Sequence, residues 1–208
     1  MKHFSINSIG RCIPKNKVTS DKIDELCNLP AGYTERNSHI KSRYWAEPIN
    51  ETTLSMAKDA IDDALLKANL SIENIDCIIN GGSLVPQILP CTASLLLSYY
   101  QTSGQDCFDV DCTCLGFLKA LEIADCLFKV KNYENILIFC SELPSLGITK
   151  NNHSTFNLFG DGAVAVILSA SQSSSSSVIA SLFQTFPDGG NHSQCRGCGT
   201  LTHPSRTG

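Results

Sequence analysis

The sequence predicts a layered α/β domain with a mostly parallel sheet. Segments whose apolar residues follow a helical period alternate along the chain with short, continuously apolar segments typical of buried strands. The chain has 208 residues, enough for one sizeable hydrophobic core. Its composition, with 42% hydrophobic and 17% charged residues, is that of a globular protein. Because strands that alternate with helices are usually joined by crossovers, parallel pairing is favoured.

The apolar pattern assigns each element in turn. An opening strand leads into a helix near residues 20–28. The longest helix is predicted over 53–69, because its apolar side chains, among them Leu54, Ile61 and Leu65, share one helical face. Two further helices are predicted at 92–100 and 114–130, and further strands at 75–80, 107–110, 135–140 and 163–168.

The character of the chain changes after residue 170. Residues 171–177 are six serines and one glutamine, a low-complexity segment that we interpret as a surface loop. Residues 178–186 are predicted to form one more strand, and 187–208 contain too few apolar residues to build a core. The predicted organisation is therefore a domain over 1–170, a Ser-rich loop over 171–177, and a truncated strand plus a flexible tail over 178–208.

Charge, hydropathy and cysteine usage exclude several classes of protein. The net charge of −4 and the scattered basic residues give no electrostatic case for nucleic-acid binding. No apolar run approaches the length of a membrane span, so we expect no membrane association. The eleven cysteines are odd in number and irregularly spaced, which favours reduced thiols in a cytoplasmic protein over a disulfide framework.

A possible metal site lies near the C-terminus. Cys195 and Cys198 form a Cys-x-x-Cys pair, with His192 and His203 nearby, and these are zinc-ligand residue types. A single pair of this kind is weak support for a metal, and two reduced cysteines in a flexible tail explain it equally well. We therefore predict no metal site.

The most informative segment is Phe108–Leu121, which places a cysteine between a strand and an amphipathic helix. A thiol at a helix N-terminus meets unpaired backbone N–H groups and the positive end of the helix dipole, both of which favour the thiolate. Gly116 is interpreted as leaving room for a substrate. Cys114 is therefore predicted to be a nucleophile, the alternative being a buried structural cysteine.

Two neighbours of Cys114 bear on that prediction. On a strand, Cys112 would lie on the same face as Cys114, and we expect Cys112 to be an inert small core residue. If the carboxylate of Asp111 lay close to the thiol, it would raise the pKa of Cys114 and so oppose the effect of the helix N-terminus. The sequence does not show in which direction the Asp111 side chain points.

Several motifs occur in an order that resembles a known family. The Cys114 block FDVxxxCxGFxxAL and the Phe159-Gly-Asp-Gly-Ala163 turn are similar to those of the ketoacyl-acyl-carrier-protein synthase III group of the thiolase superfamily. Further matching segments are Ile9–Pro14, Val18–Ile23, Ile40–Arg43, Ile75–Ile79 and Leu89–Ala93. The resemblance spans about residues 3–170 and implies the N-terminal half of a thiolase-like αβαβα layered fold.

The resemblance also implies a function. In the complete enzyme, an acyl thioester would acylate Cys114, and a malonyl thioester would then be decarboxylated and condensed with it. The family's histidine and asparagine for that second step belong to a second half. None of His153, His192 and His203 sits in a matching motif, so we expect this chain alone not to complete the condensation. Asp161 of the Gly-Asp-Gly turn is expected to be structural.

Substrate-binding positions follow from the same resemblance. Leu89 matches the position where the group inserts an apolar side chain of the partner subunit into the acyl pocket. Tyr33 and Arg36 are the nearest matches to an aromatic residue and an arginine at the coenzyme A entrance, although Asn37–Ile40 departs from the family's motif there. Coenzyme A or acyl-carrier-protein thioesters are therefore both implied as substrates, with no permanently bound cofactor.

Two functional hypotheses remain open. The chain is either the N-terminal part of an acyltransferase of the synthase III type, acting in fatty acid or polyketide-like biosynthesis, or a non-catalytic or half-catalytic partner subunit of a heteromeric condensing enzyme. Both imply an acyl carrier protein as partner and a homodimer or heteromer. A small Cys-rich metal or redox protein is a third, disfavoured hypothesis.

Overall fold

The structure, a computed structural model, describes residues 3–171, 178–190 and 192–194. Strands and helices alternate as predicted, and the helix predicted over 92–100 has those bounds. The strands are β1 (His3–Cys12), β2 (Asn16–Thr19), β3 (Ser42–Trp45), β4 (Cys77–Asn80), β5 (Asp106–Asp109), β6 (Asn135–Glu142) and β7 (Gly162–Ser171). The α-helices are α1 (Ser20–Cys27), α2 (Tyr33–Ser38), α3 (Thr53–Ala68), α4 (Thr92–Tyr100), α5 (Gly116–Val130) and α6 (His153–Phe156).

The central sheet is mixed rather than mostly parallel. Its five strands run in the order β1-β7-β6-β4-β5, and only the β6–β4 and β4–β5 pairs are parallel. The pairs of β7 with β1 and with β6 are antiparallel, so this part of the prediction was wrong. The reason is that apolar patterning identifies a buried strand but says nothing about its direction, which depends on the strand beside it. β2 and β3 form a separate antiparallel pair.

Helices cover both faces of the sheet. Alternate residues of β6 point to opposite sides, so Leu137 and Phe139 join one core cluster while Ile136 and Ile138 join the other. The first cluster contains the buried faces of α3 and α4, and the second contains Ala120, Ala124 and Phe128 of α5. The result is a three-layer α/β/α arrangement.

The C-terminal residues do not form the predicted extra strand. Residues 179–190 and 192–194, which belong to a second unit, include a 3₁₀ turn at Pro187–Gly189 but no strand. Most of their large apolar side chains are exposed, Ile179 at 97% and Leu182 at 80%, whereas a strand in a sheet buries one face. Most of the Ser-rich segment, 172–177, and Cys195, Cys198 and His203 lie outside the described residues. In the part that is described, no helix has the length and apolar character that crossing a membrane requires.

A buried carboxylate joins α1 to α2. Asp24 is 3% exposed, and its Oδ1 accepts a hydrogen bond from the Thr34 backbone N–H at 2.9 Å. Burial alone raises the pKa of Asp24, but hydrogen bonds from Thr34, Gly32 and Tyr33 outweigh it and hold the pKa below its usual value. Asp24 therefore stabilises the fold in its ionised form.

This carboxylate predicts a pH-dependent stability difference. Because the folded-state pKa of Asp24 lies below its unfolded value of about 3.9, its contribution is present above that pH and is lost as the pH falls through the folded-state pKa. Asp24→Asn is expected to unfold at lower urea concentration than wild type at neutral pH, with the gap narrowing towards about pH 3. Urea titrations at both pH values measure this, and a gap of constant size would contradict it.

Candidate active site

Cys114 lies at the carboxyl edge of the parallel part of the sheet. The parallel strands β4, β5 and β6 end at the same edge, and Cys114 follows β5 there. The helix α5 begins at Gly116 rather than at Cys114, because Thr113–Leu115 forms a 3₁₀ turn in front of it. The predicted strand–Cys–helix order is therefore confirmed, with a short turn inserted. Cys114 is exposed, so an approaching molecule can reach it.

The backbone immediately before Cys114 has an unusual conformation. Thr113 has a φ of 44°, in the left-handed region that β-branched residues rarely adopt. Its N–H donates a hydrogen bond to Asp111 Oδ1 at 3.3 Å. The carboxylate of Asp111 thus forms an Asx turn with the N–H group two residues later. Such backbone outliers are frequent at functional sites, where the surrounding structure holds them in place.

Gly116 serves packing rather than substrate access. A Cβ atom added at Gly116 would lie 2.2 Å from the carbonyl oxygen of Gly81, at the end of β4. Gly116 is buried, and the space beside it is filled by the Gly81 backbone. The expectation that Gly116 leaves room for a substrate was therefore wrong, because the glycine permits close contact between α5 and the loop after β4.

That loop, residues 81–91, is fastened at both ends by carboxylates. At its start, Glu142 of β6 accepts hydrogen bonds from the Ser83 N–H, from Ser83 Oγ at 3.1 Å and from the Leu84 N–H at 3.1 Å. At its end, Asp109 of β5 accepts hydrogen bonds from the N–H groups of Thr92 at 2.7 Å and Ala93 at 2.9 Å. Between these anchors several apolar side chains are exposed, namely Leu84, Val85, Ile88 and Leu89.

Sequence reasoning missed Glu142, and the other predicted site residues lie on different elements of the fold. Leu89 is 80% exposed in the loop between the anchors. Tyr33, 37% exposed, and Arg36 lie on α2, where Arg36 Nη1 donates a hydrogen bond to the Ala31 carbonyl at 3.1 Å. Among the described residues, neither side chain hydrogen-bonds to the Cys114 turn. The only feature of the sequence that could have indicated Glu142 is that an acidic residue follows the apolar run of β6.

Asp161 has the structural position that was expected. Its side chain is 8% exposed and accepts hydrogen bonds from the backbone N–H groups of Ala46 at 2.7 Å and Ser145 at 2.9 Å, and from the Ser145 hydroxyl. Its own N–H donates to the Tyr44 carbonyl at 2.8 Å. The Gly-Asp-Gly turn therefore joins β3 to the segment that follows β6.

The other cysteines provide contrasts with Cys114. Burial raises the pKa of Cys77 to about 12 and that of Cys140 to about 11, so both remain thiols near neutral pH. Cys112 is half-buried and lies beyond the end of β5 rather than on it, so it does not share a strand face with Cys114. Within the described ranges, no group of three or more His, Cys, Asp and Glu side chains is arranged to bind a metal ion.

Comparisons with known proteins agree on one group. The family model for 3-oxoacyl-[acyl-carrier-protein] synthase III matches residues 108–187. Beta-ketoacyl-[acyl-carrier-protein] synthase III of Aquifex aeolicus is 35% identical over 167 residues, which are 80% of this chain and 53% of the relative. The same-named protein of Ehrlichia canis is 33% identical over 179 residues, 86% of this chain and 56% of the relative. The chain thus spans about half the length of the curated relatives it matches.

Solved structures give the same fold. The crystal structure of the Aquifex aeolicus synthase III superposes with a TM-score of 0.75 at 34% identity, covering 83% of this chain and 55% of that one. The priming beta-ketosynthase of the R1128 polyketide pathway superposes with a TM-score of 0.76 at 24% identity over 83% of this chain and 51% of its own, which supports the fold alone. These likenesses and the mixed α/β sheet define the class: this is the N-terminal half of a thiolase-like αβαβα fold.

Within that class the chain can be placed more narrowly. Its family match covers the Cys114 turn and the Gly-Asp-Gly turn, and its curated relatives are 3-oxoacyl-acyl-carrier-protein synthases III at 30–35% identity. The chain is a synthase III-like protein.

Proposed function

We propose that the chain is an acyltransferase of the 3-oxoacyl-acyl-carrier-protein synthase III type in which Cys114 accepts the acyl group. The observation that supports this most directly is the exposed thiol on a turn that connects β5 to α5, inside the region of the family match. The Cys114 sulfur attacks the carbonyl carbon of an acyl thioester. The carbon–sulfur bond to the donor then breaks, so that acyl-cysteine forms and the donor leaves as a free thiol.

The proposal extends to the substrate positions. Leu89 is suited to an acyl pocket because it is apolar and lies in the loop whose first residue, Gly81, packs against Gly116 just after the Cys114 turn. Tyr33 and Arg36 would receive coenzyme A, and an acyl carrier protein is the other candidate donor. No permanently bound cofactor is required for acyl transfer to a thiol.

The second step has no candidate among the residues assigned above. Condensation with a malonyl thioester needs groups that polarise the thioester carbonyl while carbon dioxide leaves. His153 lies on α6, outside the turn and loops described above. We propose that the chain can be acylated but needs a second thiolase-like half, on the same or another polypeptide, to condense.

An alternative is a half-catalytic subunit of a heteromer. It is favoured by exposed apolar side chains beside the nucleophile, since Leu115 and Leu118 at the start of α5 are 47% and 55% exposed. Such patches commonly mark interfaces. We propose a homodimer or heteromer in a cytoplasmic setting, which suits the nine cysteines that are free among the described residues.

Acylation is tested by intact-protein mass spectrometry after incubation with acetyl-coenzyme A or, separately, an acetylated acyl carrier protein. Wild type is expected to gain one acyl group that hydroxylamine removes, and Cys114→Ala is expected to gain none. Cys112→Ala is the matched control and should load normally, because its thiol is half-buried. Acyl mass retained by Cys114→Ala would disprove the nucleophile assignment, and comparison of the two donors identifies the preferred carrier.

A further inference from the structure

Two thiols that are separate from the Cys114 site lie near each other on the opposite side of the sheet from α5. Cys91 is the residue that immediately precedes α4, and Cys107 is the second residue of β5. Both are half-buried and free. Nothing in the acyl-transfer proposal uses either of them.

The backbone brings the two cysteines together. Asp109 lies two residues after Cys107 and so points to the same face of β5. Its carboxylate accepts hydrogen bonds from the N–H groups of Thr92 and Ala93 at 2.7 and 2.9 Å, directly after Cys91. Cys107 also packs against the core cluster to which Ala93 belongs. Cys91 and Cys107 therefore lie close together, and Cys91 is one of the neighbours that raise the pKa of the Cys107 thiol.

Cys77 also lies near Cys107, which contributes to the raised pKa of the Cys77 thiol, but its side chain is on the other face of the sheet. It lies on β4 opposite Asp106, one residue from Cys107 in register. However, its side chain belongs to the core cluster of α5, on the other face. Among these three thiols, only Cys91 and Cys107 share a side of the sheet.

We propose that Cys91 and Cys107 are a redox-active pair that a hydroperoxide oxidises to a disulfide, covalently linking the start of α4 to β5. In the first step one thiol is oxidised to a sulfenic acid while the peroxide O–O bond breaks, which releases water or an alcohol. In the second step the other thiol attacks the sulfenic sulfur, the S–S bond forms, and water leaves. Two electrons and two protons pass from the thiols to the peroxide.

Either thiol can be oxidised first, and its partner is then the resolving thiol. The link would close the chain segment between them, which contains all of α4, and would restrict the end of the loop that contains Leu89.

Peptide mapping without reduction tests the proposal. The chain is treated with one equivalent of hydrogen peroxide, its remaining thiols are alkylated, and it is digested with chymotrypsin. Trypsin is unsuitable because no Lys or Arg lies between Lys67 and Lys119. Chymotrypsin separates Cys91 from Cys107 at Tyr99 and Tyr100, and it separates Cys107 from Cys112 at Phe108. The expected product is a linked Cys91–Cys107 peptide pair that dithiothreitol separates, with two thiols lost from the eleven of the sequence.

Variants determine whether the link is specific. Cys91→Ser and Cys107→Ser should each abolish the linked peptide, and the matched variant Cys77→Ser should retain it. The single variant that retains the thiol oxidised first should be left with a sulfenic acid at that position, which dimedone traps. A link that instead joins other cysteines, or alkylation of both Cys91 and Cys107 after peroxide treatment, would overturn the proposal. Neither readout depends on acyl transfer.

Discussion

Gly116→Ala is expected to lower the free energy of unfolding by about 3 kcal/mol, the upper part of the usual range for overpacking. The new Cβ would lie 2.2 Å from the Gly81 carbonyl oxygen, a separation that requires the backbone to move. Because the backbone fixes the position of the Cβ atom and its partner is a main-chain oxygen, no side-chain rotation relieves the contact. The strain would displace the start of α5, so acylation of Cys114 should fall together with stability. Urea unfolding and acyl mass, measured on the same sample, give the two quantities.

Two other glycines provide a graded control. At Gly81 an added Cβ would be 3.1 Å from the nearest atoms of Gly116, so Gly81→Ala should have a smaller effect. At Gly147 the nearest atom would be 3.9 Å away, which is ordinary van der Waals contact, and Gly147→Ala should be close to neutral. Equal stabilities for the Gly116 and Gly147 variants would show that the contact between α5 and the loop after β4 does not constrain the fold.

Asp161→Ala is expected to destabilise the protein by about 3 kcal/mol, because each buried donor left without a partner costs about 1–3 kcal/mol. The substitution removes the acceptor of the Ala46 and Ser145 N–H groups and of the Ser145 hydroxyl. Asp161→Asn keeps one acceptor oxygen and should have an intermediate effect. The measurement is the free energy of unfolding from urea titration, taken alongside acyl loading under conditions where each variant is folded.

The control for Asp161 separates a structural from a catalytic role. Asp188 is exposed in the Pro187–Gly189 turn, so Asp188→Ala should leave both stability and loading unchanged. If Asp161→Ala kept wild-type stability but lost acyl loading, the structural assignment would be wrong. The expected pattern is the reverse, with reduced stability and retained loading in the folded fraction.

The sequence predicts those features that depend on neighbouring residues along the chain. The helical period of α3 and the continuous apolar run of β7 both reflect how one segment buries its own face, and both elements formed as predicted. The strand-to-helix turn at Cys114 is likewise formed by residues that are adjacent in the sequence, so its order could be predicted. Strand direction is not local, and the antiparallel pairs of β7 could not be deduced from its composition.

The errors at the site have a common physical cause. Gly116 was interpreted from its sequence neighbours, but the atom that requires a glycine there belongs to Gly81, in the loop after β4. In the sequence, Glu142 cannot be distinguished from any other acidic residue at the end of a strand. Only the folded chain brings its carboxylate to the backbone N–H groups of Ser83 and Leu84. Contacts between distant segments therefore determine the parts of the site that the sequence could not predict.

The double anchoring of residues 81–91 has an evolutionary consequence. Glu142 and Asp109 bind main-chain N–H groups at the start and just beyond the end of the loop, so neither anchor depends on the side chains between them. Exposed positions such as Ile88 and Leu89 can therefore mutate at little cost to folding. Selection can act on what this loop touches while the sheet beneath it stays unchanged.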